Sequence, residues 1–265
     1  MTTTVAVVAV VAHPDDESLI GGGTLVLAAA AGARTGVVSL TRGERGPIAD
    51  PSLATPATLG AVRERELRAA GEILGTSWTA CLRWPDGELP WIEHDAAADE
   101  VVAALGRNAP TAILTFGGDG LYGHPDHVAA STIAHLAAER RERSGPQAVW
   151  VYEAAWPADL VPALVSAAIE QGLRADLWGL DPRAFGSAES QPTLVVDVRP
   201  VLARKLGAVR AHGTQIGPDH LLATLPADVA ERFLHEEPWR LASRPARGGD
   251  VLAELLSGAG VGGVT

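Results

Sequence analysis

The run Val5-Ala6-Val7-Val8-Ala9-Val10-Val11-Ala12 ends abruptly in His13-Pro14-Asp15-Asp16-Glu17. A continuous apolar segment rich in β-branched side chains fits a central parallel strand buried on both faces. One imidazole and three carboxylates then crowd the exit of that strand. Carboxylates gathered at a buried edge need a cation or a proton among them. Pro14 reads as the first residue of a helix with His13 at its cap, so His13 and Asp16 share one side of the first turn. In that arrangement both can grip one metal ion.

The rest of the chain alternates strand-like and helix-like segments. Residues 17–31 read as a helix broken by Gly21-Gly22-Gly23 and stopped at Gly32, and 36–41 as a second strand running into the loop Thr41-Arg42-Gly43-Glu44-Arg45-Gly46. A helix over 57–74 carries Arg63-Glu64-Arg65-Glu66, and a third strand over 78–84 meets the turn Pro85-Asp86-Gly87. After a helix over 95–107 comes a fourth strand over 111–116. A glycine-rich loop, 117–123, then enters His124-Pro125-Asp126-His127 and a long helix to about Arg143. Strands over 148–152 and 193–198 and a helix from Arg199-Pro200 to His212 continue the pattern.

This order predicts an α/β fold: a Rossmann-like, mainly parallel sheet flanked by helices, with right-handed crossovers. In such sheets ligands bind beyond the carboxyl ends of the strands, which puts a metal site at that edge. Residues 1–247 read as a single domain, and 248–265 as a Gly- and Ala-rich tail with at most a short helix over 250–256.

The first and fourth strands both end at a His-Pro-Asp sequence, and the two can face each other across one site. His13, Asp16 and His127 give two imidazoles and a carboxylate, the ligand set of a catalytic zinc site with positions left for water. Ferrous iron accepts the same set. His124, three residues from His127, serves as a ligand, an acid or an electrophile. The bland alternative is a capped helix with surface histidines. A second, the facial triad of a ferrous oxygenase, belongs to antiparallel double-stranded β-helices, which the strand-helix alternation opposes. A third is a non-catalytic, Rossmann-like ligand-binding protein. Against it, no Gly-x-Gly-x-x-Gly follows the first strand, and the second ends in Ser39-Leu40-Thr41 without an acid for a ribose.

Composition narrows the partners. A formal charge of -11 over 265 residues argues against nucleic acid and anionic membranes, whose binders cluster Lys and Arg. A lone cysteine, Cys81, excludes an internal disulfide and fits a reducing compartment. No apolar run reaches the ~20 residues of a membrane span, and the N-terminus lacks the basic region of a signal peptide. A cytoplasmic enzyme acting on a small molecule is expected, with a homo-oligomer compatible.

The Ala12 to Glu17 run together with Tyr122-Gly123-His124-Pro125-Asp126-His127 resembles the PIG-L/LmbE-like family of metal-dependent N-deacetylases and amidases. Weaker agreements at Thr41 to Gly46, Arg63 with Glu66-Leu67, Asp86, and Lys205 through His212 to Gln215 extend the resemblance over roughly residues 5 to 216. It implies zinc held by His13, Asp16 and His127, with Asp15 as the general base acting on metal-bound water. Tyr122 and His124 would face the oxyanion, and Asp126 would orient a neighbouring histidine. Either His124 or Asp15 would protonate the leaving amine. The expected substrate is an N-acetyl-glucosamine-type sugar, or a larger acyl or mycothiol-type conjugate, cleaved at a linear, non-peptide amide. Loops 42–57 and 173–191 would choose among them.

The resemblance also implies substrate contacts at Arg63, Asp86, His212 and Gln215. Their bland counterparts are a salt-bridged helix face, an Asp-Gly turn and helix capping. Arg42 and Glu44 are expected at the rim. Cys81 reads as a small buried hydrophobe, and His94, His135, His220 and His235 lack a carboxylate at ligand spacing. Among the tryptophans, Trp178 is the best candidate for the site, because it lies in the long irregular stretch 175–191.

Overall fold

The computed structural model describes residues 5–106, 111–144, 148–189, 191–243 and 249–258. In chain order its main elements are β1 (Ala6–Val11), α1 (Asp16–Ala30), β2 (Arg34–Ser39), α2 (Leu59–Leu74), β3 (Trp78–Cys81), α3 (His94–Leu105), β4 (Ala112–Thr115) and α4 (Pro125–Ser144). There follow β5 (Trp150–Ala154), α5 (Leu160–Glu170), β6 (Leu194–Asp197), α6 (Leu202–Ala211), α7 (Ala227–Leu234), β7 (Glu236–Ser243) and α8 (Val251–Gly258).

The strands form one seven-stranded sheet in the order β3-β2-β1-β4-β5-β7-β6. β1 pairs in parallel with β2 on one side and β4 on the other, which is why every residue of this Val- and Ala-rich strand is buried. α1 packs on α2 and α6, while α3 packs on α4. With right-handed crossovers, the reversal of direction after β3 puts these two helical layers on opposite faces. The chain steps outward from β1 to β3 and then returns to β4, so a crevice opens between the ends of β1 and β4. The two His-Pro-Asp sequences stand there.

The α/β class and the mainly parallel sheet are as the sequence predicts; several details differ. α1 begins at Asp16 rather than Pro14, because Asp15 adopts a φ of 129°, outside helical space. The three glycines do not break α1. A Cβ on Gly23 would overlap Val198 and Glu237, and one on Gly21 would press on Trp239, so the triplet lets the helix lie close to its neighbours. Glu237 reaches into α1 and accepts the amides of Gly23 (2.8 Å) and Thr24 (2.7 Å), with the ammonium of Lys205 2.8 Å away.

β7 had no sequence signal. Its Glu, Pro and Arg residues disfavour a strand, yet it is an internal strand, antiparallel to both β5 and β6, with Trp239 fully buried. α5 and α7 also went unread. Part of the expected tail belongs to the core: Leu252 and Leu256 of α8 are buried, and Asp250 accepts the Tyr152 hydroxyl at 2.6 Å. The expected domain boundary at 247/248 lies outside the described residues. Among the described residues, no helix is long and apolar enough to cross a membrane.

α6 is tied to α1 by a fully buried pair, His212 Nε2 to Glu17 Oε1 at 2.9 Å. Burial opposes charge on both groups, but mutual attraction and hydrogen bonding outweigh it. The pair lowers Glu17 from 4.5 and raises His212 from 6.5. Glu17 therefore contributes stability present above pH 4.5 and lost as pH falls through its lower folded value. His212 contributes stability present below pH 6.5 and lost as pH rises through its higher one, so both are complete between those limits. His212→Ala, which leaves Glu17 buried without its partner, is expected to cost about 3–5 kcal/mol in urea unfolding at a weakly acidic pH.

Candidate active site

The turn after β1 sends adjacent carboxylates in different directions. Asp15 lies in the positive-φ region that disfavours side chains, at a cost of order 1–3 kcal/mol, and surrounding bonds hold it there. Its N–H donates to Glu17 Oε2 (3.0 Å), and its carbonyl accepts the amides of Ser18 and Leu19. Arg63 locks the turn from α2: it donates to the Pro14 carbonyl at 2.7 Å, to Asp15 Oδ2 at 3.0 Å and to the Gly43 carbonyl at 2.9 Å. A Cβ on Gly43 would overlap that guanidinium, and the φ of +60° there favours glycine. Arg63 is thus buried beside the site and is no part of a solvated helix face.

On the opposite lip, the loop after β4 brings Tyr122, His124 and His127 together. The His127 ring stacks on Phe116, with centroids 3.9 Å apart, and Tyr122 stands edge-on to both histidines. Pro125 opens α4. The Asp126 amide donates to His124 Nδ1 at 3.2 Å, so the neutral ring carries its proton on Nε2.

The metal question turns on His127. Its Nδ1 lies 3.1 Å from the Gly120 carbonyl, which requires the proton on Nδ1 and leaves a lone pair on Nε2. That Nε2 is buried, has no hydrogen-bond partner, and faces Asp16 Oδ1 at 3.4 Å. Two acceptors facing each other in a buried site call for a cation or a proton between them. Asp16 Oδ2 lies 3.5 Å from His13 Nδ1 on the other side. The far nitrogen, His13 Nε2, is 3.2 Å from both Asp86 Oδ1 and Asp126 Oδ2, the carboxylate-histidine pairing that orients a metal-bound imidazole. His13, Asp16 and His127 present ligand atoms within 4.8 Å of one another, and so do His13, Asp86 and Asp126. We favour the first set for a metal. In the second, Asp126 is already committed to the amides of Gly87 and Leu89, and Asp86 to that of Arg45.

Charge in the cluster follows the same division. Burial pushes Asp15 up to about 6, opposed by the charge of Arg63. Burial also works against Asp16 and Asp86, but the neighbouring imidazoles of His127 and His13 hold Asp16 well below the carboxylate range. His13 chiefly brings Asp86 down to about 2. Burial, then the neighbouring imidazoles of His127 and His13, lower His124 to about 4.

These groups line one end of a cavity of about 430 Å³, together with Asp86 and Gln215. His212 is the exception among the expected contacts. It has no exposed surface and stands one layer behind, holding Glu17, which in turn holds the Asp15 amide. Arg42 and Glu44 yield their expected place to Arg45 of the same loop, while Glu44 accepts the Asp86 amide. Cys81 is inert: burial drives its thiol up to about 12. Trp178 lines the cavity and donates to the Gln215 carbonyl at 3.2 Å. Sequence reasoning missed the apolar remainder of the lining, from α5, α6, α7 and residues 177–185. Ordinary core positions carry the same residue types, so no local signal marks them.

A family profile described as PIG-L: GlcNAc-PI de-N-acetylase matches residues 8–138, which contain both His-Pro-Asp sequences. A 1D-myo-inositol 2-acetamido-2-deoxy-alpha-D-glucopyranoside deacetylase of Mycolicibacterium smegmatis is 33% identical over 261 residues, covering 86% of this chain and 88% of that one. The chain belongs to the PIG-L family. A second PIG-L relative of the same name, from Thermobispora bispora, is 34% identical over 219 residues, 71% of each chain. Among solved structures, N,N'-diacetylchitobiose deacetylase from Pyrococcus horikoshii has a TM-score of 0.59 at 22% identity, covering 89% of this chain and 82% of that one. The 4-carboxy-2-hydroxymuconate hydratase of Pseudomonas putida reaches 0.62 at 20% identity, covering 94% and 100%. A hydratase on this fold means that the fold alone does not set the reaction.

His127→Ala and Asp16→Ala are each expected to reduce zinc retained after reconstitution and gel filtration to near zero by elemental analysis. Asp126→Asn is expected to weaken zinc affinity about ten- to hundredfold in a competitive chelator titration.

Proposed function

We propose that this protein is a metal-dependent N-deacetylase that hydrolyses the acetamide of an N-acetyl-glucosamine-type sugar, with zinc as the working metal. The observation that carries the reading is the pairing at the mouth of β1. A carboxylate fixed by Arg63 projects into the cavity from the residue next to a metal-ligand set whose His127 Nε2 lacks any other partner. The names of the relatives supply the class of substrate. A purely ligand-binding protein would have no use for that strained, desolvated Asp15.

A metal held by His13, Asp16 and His127 would supply a polarised carbonyl and a more acidic water. This chain's own residues do the rest. Asp15, held in place by Arg63, takes a proton from the attacking water as its oxygen forms a bond to the acetyl carbon. The Tyr122 hydroxyl and the Nε2–H of His124 stand on the opposite lip as donors for the oxyanion. Collapse breaks the C–N bond, and the proton passes from Asp15 to the nitrogen, leaving acetic acid and an amine that part as acetate and ammonium once the carboxyl proton is transferred. Asp126 and Asp86 hold the His13 ring, and Asp86 and Gln215 offer hydrogen bonds to sugar hydroxyls.

Acetate release from a panel of N-acetylglucosaminides by zinc-reconstituted protein tests the reading. Asp15→Asn is expected to lower kcat about 10²- to 10⁴-fold while retaining zinc, and Tyr122→Phe about a hundredfold with unchanged metal content. Full activity in Asp15→Asn would remove Asp15 from the role of base.

A further inference from the structure

Both polar ends of the peptide between Pro14 and Asp15 are held. Arg63 donates to the Pro14 carbonyl at 2.7 Å, and the Asp15 N–H donates to Glu17 Oε2 at 3.0 Å. With that plane clamped, the torsion about the next bond decides where the Asp15 carboxylate points. It sits at φ 129° and ψ -30°, a conformation that residues with side chains rarely adopt. Opening one clamp lets the plane turn and the strain relax. The flanking residues His13 and Asp16 have a tie of their own, from the His13 N–H to Asp16 Oδ2 at 2.7 Å, so they are held independently of that plane.

Arg63 reaches the turn from α2, whereas Glu17 is steered from α6. Its Oε1 accepts the Ser18 hydroxyl at 2.5 Å and faces His212 Nε2 at 2.9 Å, which leaves Oε2 for the Asp15 amide. Glu17 and His212 have no exposed surface, so neither touches substrate. His212 has a fixed seat. Its carbonyl accepts the amides of Gln215 (2.9 Å) and Ile216 (2.8 Å), and Thr214 in the same turn donates its amide (2.8 Å) and hydroxyl (2.6 Å) to Glu66 of α2.

Stability alone is a poor reason for such a pair. Two charged groups taken fully out of water gain about as much from each other as they lose in hydration, and apolar residues of like volume serve as well or better. What apolar residues cannot do is accept the Asp15 amide. We propose that Glu17 and His212 are positioning residues for Asp15: His212 aims the Glu17 carboxylate, and Glu17 holds the Asp15 peptide in the orientation that turns the base into the cavity. The inference rests on the deacetylase reading, in which Asp15 is the base, and it requires the pair to act on turnover through Asp15 alone.

The test replaces both members at once, Glu17→Met/His212→Leu, in the zinc-reconstituted full chain, so that no unpaired charge stays behind. Urea unfolding and zinc content are expected to remain near wild type, while kcat for an N-acetylglucosaminide falls about a hundredfold with KM little changed. The same replacement made in an Asp15→Asn background is expected to cause no further loss, because residues that act as a unit are not additive. Glu17→Gln, which keeps an acceptor for the Asp15 amide, is expected to restore most of the turnover. A crystal structure of the double variant reads the positioning without turnover: Asp15 is expected to leave its φ of 129° and part from Arg63. Glu17→Asp, too short to span the Asp15 amide and His212, makes the same comparisons should the double variant fail to fold.

Wild-type kcat in a folded, zinc-loaded double variant would overturn the proposal and leave the pair a structural tie. So would an equal further loss in the Asp15→Asn background, or an Asp15 backbone unchanged in the crystal. A Glu17→Gln variant as slow as the double variant would overturn it by assigning the effect to charge instead of to the held amide. If the wild-type protein binds zinc and hydrolyses no acetamide, the deacetylase reading falls, and the crystal structure by itself decides whether the pair sets the Asp15 turn.

Discussion

Two acceptors facing each other at 3.4 Å, His127 Nε2 and Asp16 Oδ1, set the terms for everything around them. Such a contact is repulsive in a buried place unless a positive charge stands between the atoms. The surrounding structure keeps it from relaxing. The Gly120 carbonyl fixes the His127 tautomer, Phe116 fixes the ring plane, and Asp16 is anchored by the His13 amide at 2.7 Å. Relaxation would mean moving the ends of β1 and β4, two adjacent interior strands of the sheet. The fold therefore stores an electrostatic demand at its switch point, which a cation held by His13, Asp16 and His127 would meet.

Much of this was legible because the chemistry is local in sequence. The valine-rich run announces β1, and the two His-Pro-Asp sequences at strand ends announce the crevice. Which atoms face one another was not legible, since that depends on Asp15 entering a positive φ and on which imidazole nitrogen finds a carbonyl. Arg63 was ambiguous for a related reason: its charged neighbours advertise a solvated helix face, and only the approach of α2 to the Pro14 and Gly43 carbonyls reveals it as buried. His212 was misplaced by one layer. Its separation of seven residues from Lys205 gives a shared helix face but not how far that face stands from the cavity.

The apolar lining escaped notice because a leucine beside a cavity and a leucine in a core look alike along the chain. Segments 160–170 and 202–234 carry residues that serve either purpose, and tertiary arrangement alone assigns them. β7 escaped for the opposite reason. Glu237, Pro238 and Arg240 break every strand rule, yet Glu237 is needed to receive two helix amides and the ammonium of Lys205. A local rule is broken where a distant partner compensates.

That placement of β7 has a consequence for how the molecule is made. The strand nearest the end of the chain is an interior plank of the sheet, flanked by β5 and β6, both of which leave the ribosome earlier. Until residues 236–243 arrive, β5 presents an open edge and β6 has no neighbour in the sheet. An unpaired edge on a hydrophobic sheet invites pairing with other chains. The ligand set lies on β1, β4 and their loops, all synthesised before the strand that completes the sheet.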